Sequence, residues 1–331
     1  MLLIDGIYMY RLNADIMQRK IRPKVLVKFG LVIQAHRYSN VSYIKFLIQY
    51  IFRRYECFKI TINGVNNCIT LGNLISLPIL LKHGWKILSV KESSLRINGG
   101  NDTVITCRTD SGFDVGHIRE IFLQGAYHTS FEQKNVIDIG MSNGDSSIYF
   151  AKAGAKKVVG IEPTKESFDL AMENIKDSKV QGTVVALNKA MGIKNGVTDF
   201  FMSGYSPNGN SLDKANMVDL TGRMEFKRTV ETITLESVFK LLNGELCHLM
   251  KMDCEGCEYS VLGLISHDLY DKIEEIQLEY HNGLQTLPYI LTNAGYHLSI
   301  RKGNRKMGYI VASKKLILEQ QFDPLVTLKC L

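Results

Sequence analysis

Two short stretches of the sequence hold the residues best suited to chemistry. The first is Asp138-Ile-Gly140-Met-Ser142-Asn143-Gly144-Asp145-Ser146. Glycines at a strand-to-helix turn let the backbone approach a ligand, and a helix starting there aims free amide N–H groups at it. The spacing is not Gly-x-Gly-x-x-Gly, because Ser142 replaces the second glycine. A dinucleotide pyrophosphate is therefore poorly served, and a nucleoside cofactor without phosphate suits the turn better. Gly160-Ile-Glu162-Pro163 follows. An acid at that place can accept hydrogen bonds from both ribose hydroxyls. In Asn188-Lys-Ala190-Met-Gly192, Asn188 or a backbone group would read the edge of the base.

The second stretch is Lys251-Met-Asp253-Cys254-Glu255-Gly256-Cys257-Glu258, with Glu279 and His281 further on. Acids at a helix start keep their charge through the helix dipole. That should lower the basicity of Asp253 and Glu255 and suit them to orienting a substrate. His281, with an ordinary pKa of about 6.5, is then the better general base. A divalent metal on Asp253, Glu255, Glu279 or His281 is a secondary reading, since oxygen-rich sets suit Mg²⁺ or Mn²⁺.

These residues need a scaffold that brings strand ends together, and the second half of the chain has the rhythm for one. Strands are expected at 135–139, 157–161, 183–187, 249–252, 273–279, 296–300 and 308–313. Helices are expected at 146–153, 165–175, 235–242, 259–265 and 284–294. Such alternation implies a parallel, doubly wound sheet whose ligand edge lies at the strand carboxyl ends. The last two strands are joined by the short basic turn 302–306, so they must form a hairpin. Between residues 188 and 223 a Gly-, Ser- and Asn-rich segment reads as irregular, and 229–234 as extended. The first third reads as a small α+β unit, with an apolar-rich helix at 41–52, strands at 58–62 and 69–71 and a helix at 74–83. Strands at 85–90 and 103–108 flank the turn 98–102. The chain thus divides into an N-terminal α+β extension, 1–105, with an acceptor-site or oligomerisation role, and a main domain, 106–331.

The 331 residues are 45% hydrophobic and 22% charged, an ordinary globular balance that argues against disorder. An excess of 40 Lys+Arg over 33 Asp+Glu permits an anionic partner without selecting one. Seven cysteines without a secretory pattern suggest reduced thiols and a cytoplasmic protein. No membrane span is present, and the 41–52 helix leaves room only for weak peripheral membrane contact.

In their order, Asp138-Ile-Gly-x-x-Asn-Gly-Asp-Ser, Gly-Ile-Glu162-Pro, Asn188-x-Ala-x-Gly, Thr232-Ile-Thr-Leu, Lys-Met-Asp253-Cys-Glu255-Gly-Cys-Glu258 and Gln-Leu-Glu279-Tyr-His281 resemble the FkbM family of methyltransferases dependent on S-adenosylmethionine (SAM). The segment from Asp114 to Phe122, with Tyr127, resembles the helix preceding the family's first strand, and the likeness covers about residues 112–313. It implies a Rossmann-like seven-stranded α/β fold with one antiparallel strand near the edge. It also implies methyl transfer to a hydroxyl of a small-molecule or glycan acceptor. By position, Asp138, Gly140, Asn143, Gly144 and Ser146 would line SAM, Glu162 would bind its ribose, and Asn188 and Ala190 would flank the adenine. Asp253 would sit under the reacting centre. Met141-Ser142, Cys254 and Cys257 depart from the small or aliphatic residues usual in the family.

Three rival readings remain. Gly140-x-Ser142-x-Gly144 matches a nucleophile elbow, which would make Ser142 the centre of an α/β-hydrolase. Cys254-x-x-Cys257 matches a redox pair or half a zinc site. Basic clusters at Arg19, Lys20, Arg22, Lys24 and Lys28, at Arg53 and Arg54, and at Arg301, Lys302, Arg305 and Lys306 allow an RNA-binding or non-catalytic protein. Nucleic acid is not the expected partner, because no Asn/Asp-Pro-Pro-aromatic loop follows the fourth strand. Oligomeric state is not legible.

Overall fold

The computed structural model describes residues 57–127, 130–203, 224–302 and 306–315. The 41–52 helix, the basic residues before Cys57 and most of the Ser203–Met217 stretch lie outside them. The described chain begins with a hairpin of β1 (Phe58–Ile62) and β2 (Val65–Ile69). Asn63 and Gly64 close it, both at positive φ, as a two-residue turn requires. Helix α1 (Leu71–Lys82) follows, then an antiparallel meander of β3 (Lys86–Lys91), β4 (Ser94–Asn98) and β5 (Val104–Arg108). Strand β4 is absent from the sequence expectation, and the turn at 98–102 joins it to β5. Its alternation was legible all the same: Leu95 and Ile97 are fully buried and their neighbours are not. Helix α2 (Asp114–Leu123) leads into the main sheet.

There the chain alternates through β6 (Asn135–Ile139), α3 (Asp145–Lys152), β7 (Lys157–Ile161), α4 (Lys165–Asp177) and β8 (Val184–Leu187). Next come β9 (Ala190–Met191), β10 (Gly196–Ser203), β11 (Met224–Ile233) and α5 (Leu235–Leu241). The run ends with β12 (Leu249–Met252), α6 (Cys257–Leu264), α7 (His267–Asp271), β13 (Glu275–Tyr280), α8 (Leu287–Asn293), β14 (His297–Lys302) and β15 (Gly308–Ser313). Seven strands form one sheet in the order β14-β15-β13-β12-β6-β7-β8, and β15 alone runs against its neighbours. The expected α/β fold with a reversed strand next to the edge is what the chain adopts. The irregular reading of 196–203 is corrected: β10 pairs with β11, and β11 with β9, in a separate three-stranded sheet.

Strand β6 is buried at every position, so its side chains feed two cores, one on each face of the sheet. Val136, Val158 and Val184 pack with Leu77, Leu95, Ile97, Ile105 and Val115. On the other face, Ile137, Val159 and Met250 pack with Val238, Val261 and Leu291. Burying each such aliphatic side chain contributes about 1.5–3 kcal/mol. The first core runs unbroken across residue 105, joining the N-terminal elements to the sheet.

Disulfides join Cys57 to Cys68 and Cys254 to Cys257, with Cα separations of 5.6 and 5.5 Å. Cys107 and Cys247 are free and buried. The expectation of uniformly reduced thiols is not met, and the cytoplasmic reading that rested on it loses that ground. Among the described residues no helix is long and apolar enough to cross a membrane.

Candidate functional site

The chain builds β6, β7 and β8 in one direction and returns to place β12 on the other side of β6. The loops after β6 and β12 therefore flank the crevice at the switch point of the sheet. They touch: a Cβ added to Gly140, whose φ is +81°, would stand 1.9 Å from the carbonyl oxygen of Asp253. Gly140→Ala would carry about 1–2 kcal/mol of left-handed backbone strain in addition to that collision. A lowered melting temperature is expected; an unchanged one would contradict the geometry.

The Gly140 turn is fixed from below. The Lys251 ammonium donates to the Gly140 carbonyl at 2.6 Å and lies 3.2 Å from Asp138 Oδ1. Burial disfavours its charge, but Asp138 and its neighbours outweigh that and raise its pKa. Asp138 Oδ2 accepts the hydroxyls of Ser146 and Ser147, each at 2.6 Å. Asp138 and Ser146, both expected at the cofactor, thus meet each other in the interior and hold the first turn of α3 to β6.

Glu162 faces the turn. Its Oε2 accepts the Ser142 N–H at 3.1 Å, and its Oε1 accepts the Thr164 N–H at 2.8 Å. Burial pushes its pKa up to about 7, against the opposing pull of the Thr164 bonds, the Arg108 charge and the Ser142 bond. Two backbone bonds and one from the Thr164 side chain leave its four lone-pair sites incompletely filled. Asn188 donates to the carbonyls of Glu162 and Pro163 and so shapes this loop. Ala190 is buried in β9 opposite Thr232. Within the turn, Asn143 Nδ2 and Asp145 Oδ2 are buried with no hydrogen-bond partner among the described residues. Burial raises Asp145 to about 6.

Across the crevice, His281 is nearly enclosed by carboxylates. Its Nδ1 lies 3.0 Å from Glu258 Oε1, and its Nε2 lies 3.7 Å from Asp253 Oδ1 and 3.5 Å from Glu255 Oε2. Burial works against the imidazolium, but the Glu258 hydrogen bond and the charges of Glu255, Asp253 and Glu258 prevail and lift its pKa to about 10. The surroundings thus favour the imidazolium over the neutral base expected from the sequence. Glu255 is also corrected: burial raises it to about 8, overriding the helix start that was to keep it weakly basic. Glu279 is raised by burial and by Asp253, and accepts a hydrogen bond from Tyr309. Donor atoms of Asp253, Glu279 and His281 lie within 4.8 Å of one another. A cation there would first have to displace the imidazole proton.

The His281 pKa in the folded chain lies above its unfolded value of about 6.5. Its stabilising contribution is complete below that value and is lost as pH rises through about 10. Proton NMR of the imidazole should find its midpoint near 10; titration between pH 6 and 7 would refute the assignment.

Reading the sequence missed three residues. Tyr309 comes opposite Glu279 only because β15 inserts between β13 and β14. His117 on α2 is close enough to favour the charged forms of Asp145 and Glu279. Arg108, from β5, donates to Ser142 Oγ at 2.9 Å. That contact removes the hydrolase reading, since the Ser142 hydroxyl meets a guanidinium where a nucleophile needs a base.

A doubly wound sheet with its reversed strand beside the edge, opening between β6 and β12, places the chain in the Rossmann-like methyltransferase class of folds. The chain belongs to the methyltransferase FkbM domain family, whose profile matches residues 138–309, just over half of the sequence. It is similar in structure to the methyltransferase FkbM from Methylobacillus flagellatus KT, with 13% identity, 73% of this chain and 54% of that chain covered, and a TM-score of 0.41. It therefore spans about half the length of that protein. The SAM-dependent methyltransferase from Agrobacterium tumefaciens is similar at 9% identity, covering 81% of this chain and 80% of that chain, with a TM-score of 0.41. The magnesium protoporphyrin IX methyltransferase from Synechocystis PCC 6803, solved with bound SAM, is similar at 11% identity, 61% and 81% coverage, and a TM-score of 0.35. No curated protein matches the chain.

Proposed function

We propose that the chain transfers the methyl group of SAM to a hydroxyl oxygen of a small-molecule or glycan acceptor. The observation that carries this reading is Glu162, whose two carboxylate oxygens are held at the glycine turn by the Ser142 and Thr164 N–H groups with acceptor capacity to spare. Two adjacent ribose hydroxyls match that pair of acceptors. The unpartnered Asn143 Nδ2 and Asp145 Oδ2 suit the carboxylate and ammonium of an amino acid, which fits the residues present to a nucleoside carrying a methionine tail. When bound, SAM supplies an electrophilic methyl on a sulfonium.

The chain's own residues then have two tasks. One is alignment of the acceptor oxygen, which alone supplies much of the acceleration in a displacement. Asp253, with a side chain 36% exposed, is the most open carboxylate around His281 and is placed to hold the hydroxyl. The other task is removal of the proton. Glu279, whose basicity is raised by burial and by Asp253, is the acceptor for it, beside the His281 imidazolium.

Calorimetric titration with SAM and S-adenosylhomocysteine, followed by a tritiated-methyl screen of glycans and hydroxylated metabolites, tests the proposal. Absence of affinity for either nucleoside would end it. Labelling of RNA in a salt-sensitive manner would retain the donor and replace the acceptor.

A further inference from the structure

The N-terminal elements do more than cover one face of the sheet. Thr106 of β5 exchanges backbone bonds with the Asn174 carboxamide of α4: its N–H donates at 2.8 Å and its carbonyl accepts at 3.0 Å. The same Asn174 donates to the Asn143 carbonyl in the glycine turn at 2.9 Å. Val104 and Ser178 exchange a second pair of bonds. Strand β5 is thereby locked to α4, and its last residue, Arg108, is delivered to the crevice.

The Arg108 guanidinium is aimed by a carboxylate that has no other task among the described contacts. Nε and one terminal nitrogen grip both oxygens of fully buried Asp114, at 2.9 and 3.0 Å, and the Arg108 backbone N–H adds a 2.8 Å bond. The remaining donors reach Ser142 Oγ at 2.9 Å and Ser167 Oγ at 2.7 Å. Ser142 has a φ of 47°, where a residue with a side chain persists only if its surroundings hold it. It is held from two sides: its hydroxyl by Arg108, its N–H by Glu162.

We infer that Arg108 is a positioning residue for the nucleoside cofactor, through which the N-terminal unit pins Ser142 in the conformation that presents Glu162 to the ribose. A planar fork is required, because a lysine ammonium cannot serve Asp114 in bidentate fashion and two hydroxyls at once. The inference rests on the proposed SAM site. It also bears on the charge of Glu162, since Arg108 is the charged side chain facing it. Behind that guanidinium stand Asp114 of α2 and Asp145 of α3.

The test is calorimetric affinity for S-adenosylhomocysteine across pH 6 to 9, using the full chain. Wild-type affinity should rise with pH through about 7, as Glu162 ionises. Arg108→Gln should weaken binding about tenfold and move that rise to higher pH; Arg108→Lys should return the rise to its place without restoring the affinity. Ser142→Ala should cost about threefold, and combining it with Arg108→Lys should cost no more than Arg108→Lys alone, because both break one linkage. Folded Arg108 variants with wild-type affinity at every pH, or strictly additive losses, would overturn the inference. If the Arg108 variants do not fold, an unchanged affinity of Ser142→Ala overturns it by itself. Wild-type protein that does not bind the nucleoside defeats the function proposed above, whereas binding wild type with indifferent variants defeats the positioning role alone.

Discussion

Asp138→Asn should lower the free energy of unfolding by about 3–5 kcal/mol, the usual consequence of leaving a buried partner charge unpaired. The stranded group is Lys251, whose ammonium lies in the interior between Asp138 and the Gly140 carbonyl. Asparagine can still accept the Ser146 and Ser147 hydroxyls, so the loss reads mainly the charge. Lys251→Met should be damaging for the reciprocal reason, since Asp138 is fully buried. The double variant should recover most of the loss, because two absent charges need no compensation. Urea unfolding of the three variants at pH 7 measures all of this. Single variants within 1 kcal/mol of wild type would mean that the pair has little part in holding the crevice together.

The second large effect belongs to Glu162. Hydrogen bonds to a charged acceptor are each worth about 1.5–3 kcal/mol, so removing two of them in Glu162→Ala should weaken SAM binding by about 10²–10⁴-fold. The same variant also strands the Ser142 and Thr164 N–H groups, which adds disorder in the turn. Calorimetry on folded variant protein decides the matter, and a loss below about fivefold would place the ribose elsewhere. The pKa of this group has a consequence for the ligand-free chain as well. Its folded value of about 7 lies above the unfolded carboxylate value of about 4.5. Stability from Glu162 is therefore complete below about 4.5 and declines as pH rises through about 7. Bound nucleoside should offset that decline, since ribose hydroxyls solvate the charge.

Both effects belong to residues whose places were legible beforehand. Asp138 and Glu162 close strands, and a strand buried on both faces announces itself by an apolar run ended by a glycine or an acid. The hairpin of β14 and β15 followed from a connection too short for a crossover. Strand β4 was overlooked because its polar positions and flanking turn residues resemble a loop, although Leu95 and Ile97 alternate as a half-buried strand must. Strand β10 was overlooked because Gly196 begins it and the Gly-, Ser- and Asn-rich segment follows it.

The sequence by itself determined which residues stand in the loops at the carboxyl edge of the sheet: turn glycines, strand-end acids and period-two burial are local properties, written in consecutive residues. It could not settle what those side chains would meet. Ser146 turns to Asp138, Ser142 meets an arginine from the end of β5, and Tyr309 reaches Glu279 through a strand inserted out of chain order. Nor could it assign the protons of His281 and Glu255. An ionisable group responds to the water it has lost and the charges within a few ångströms, and both are set by segments distant along the chain.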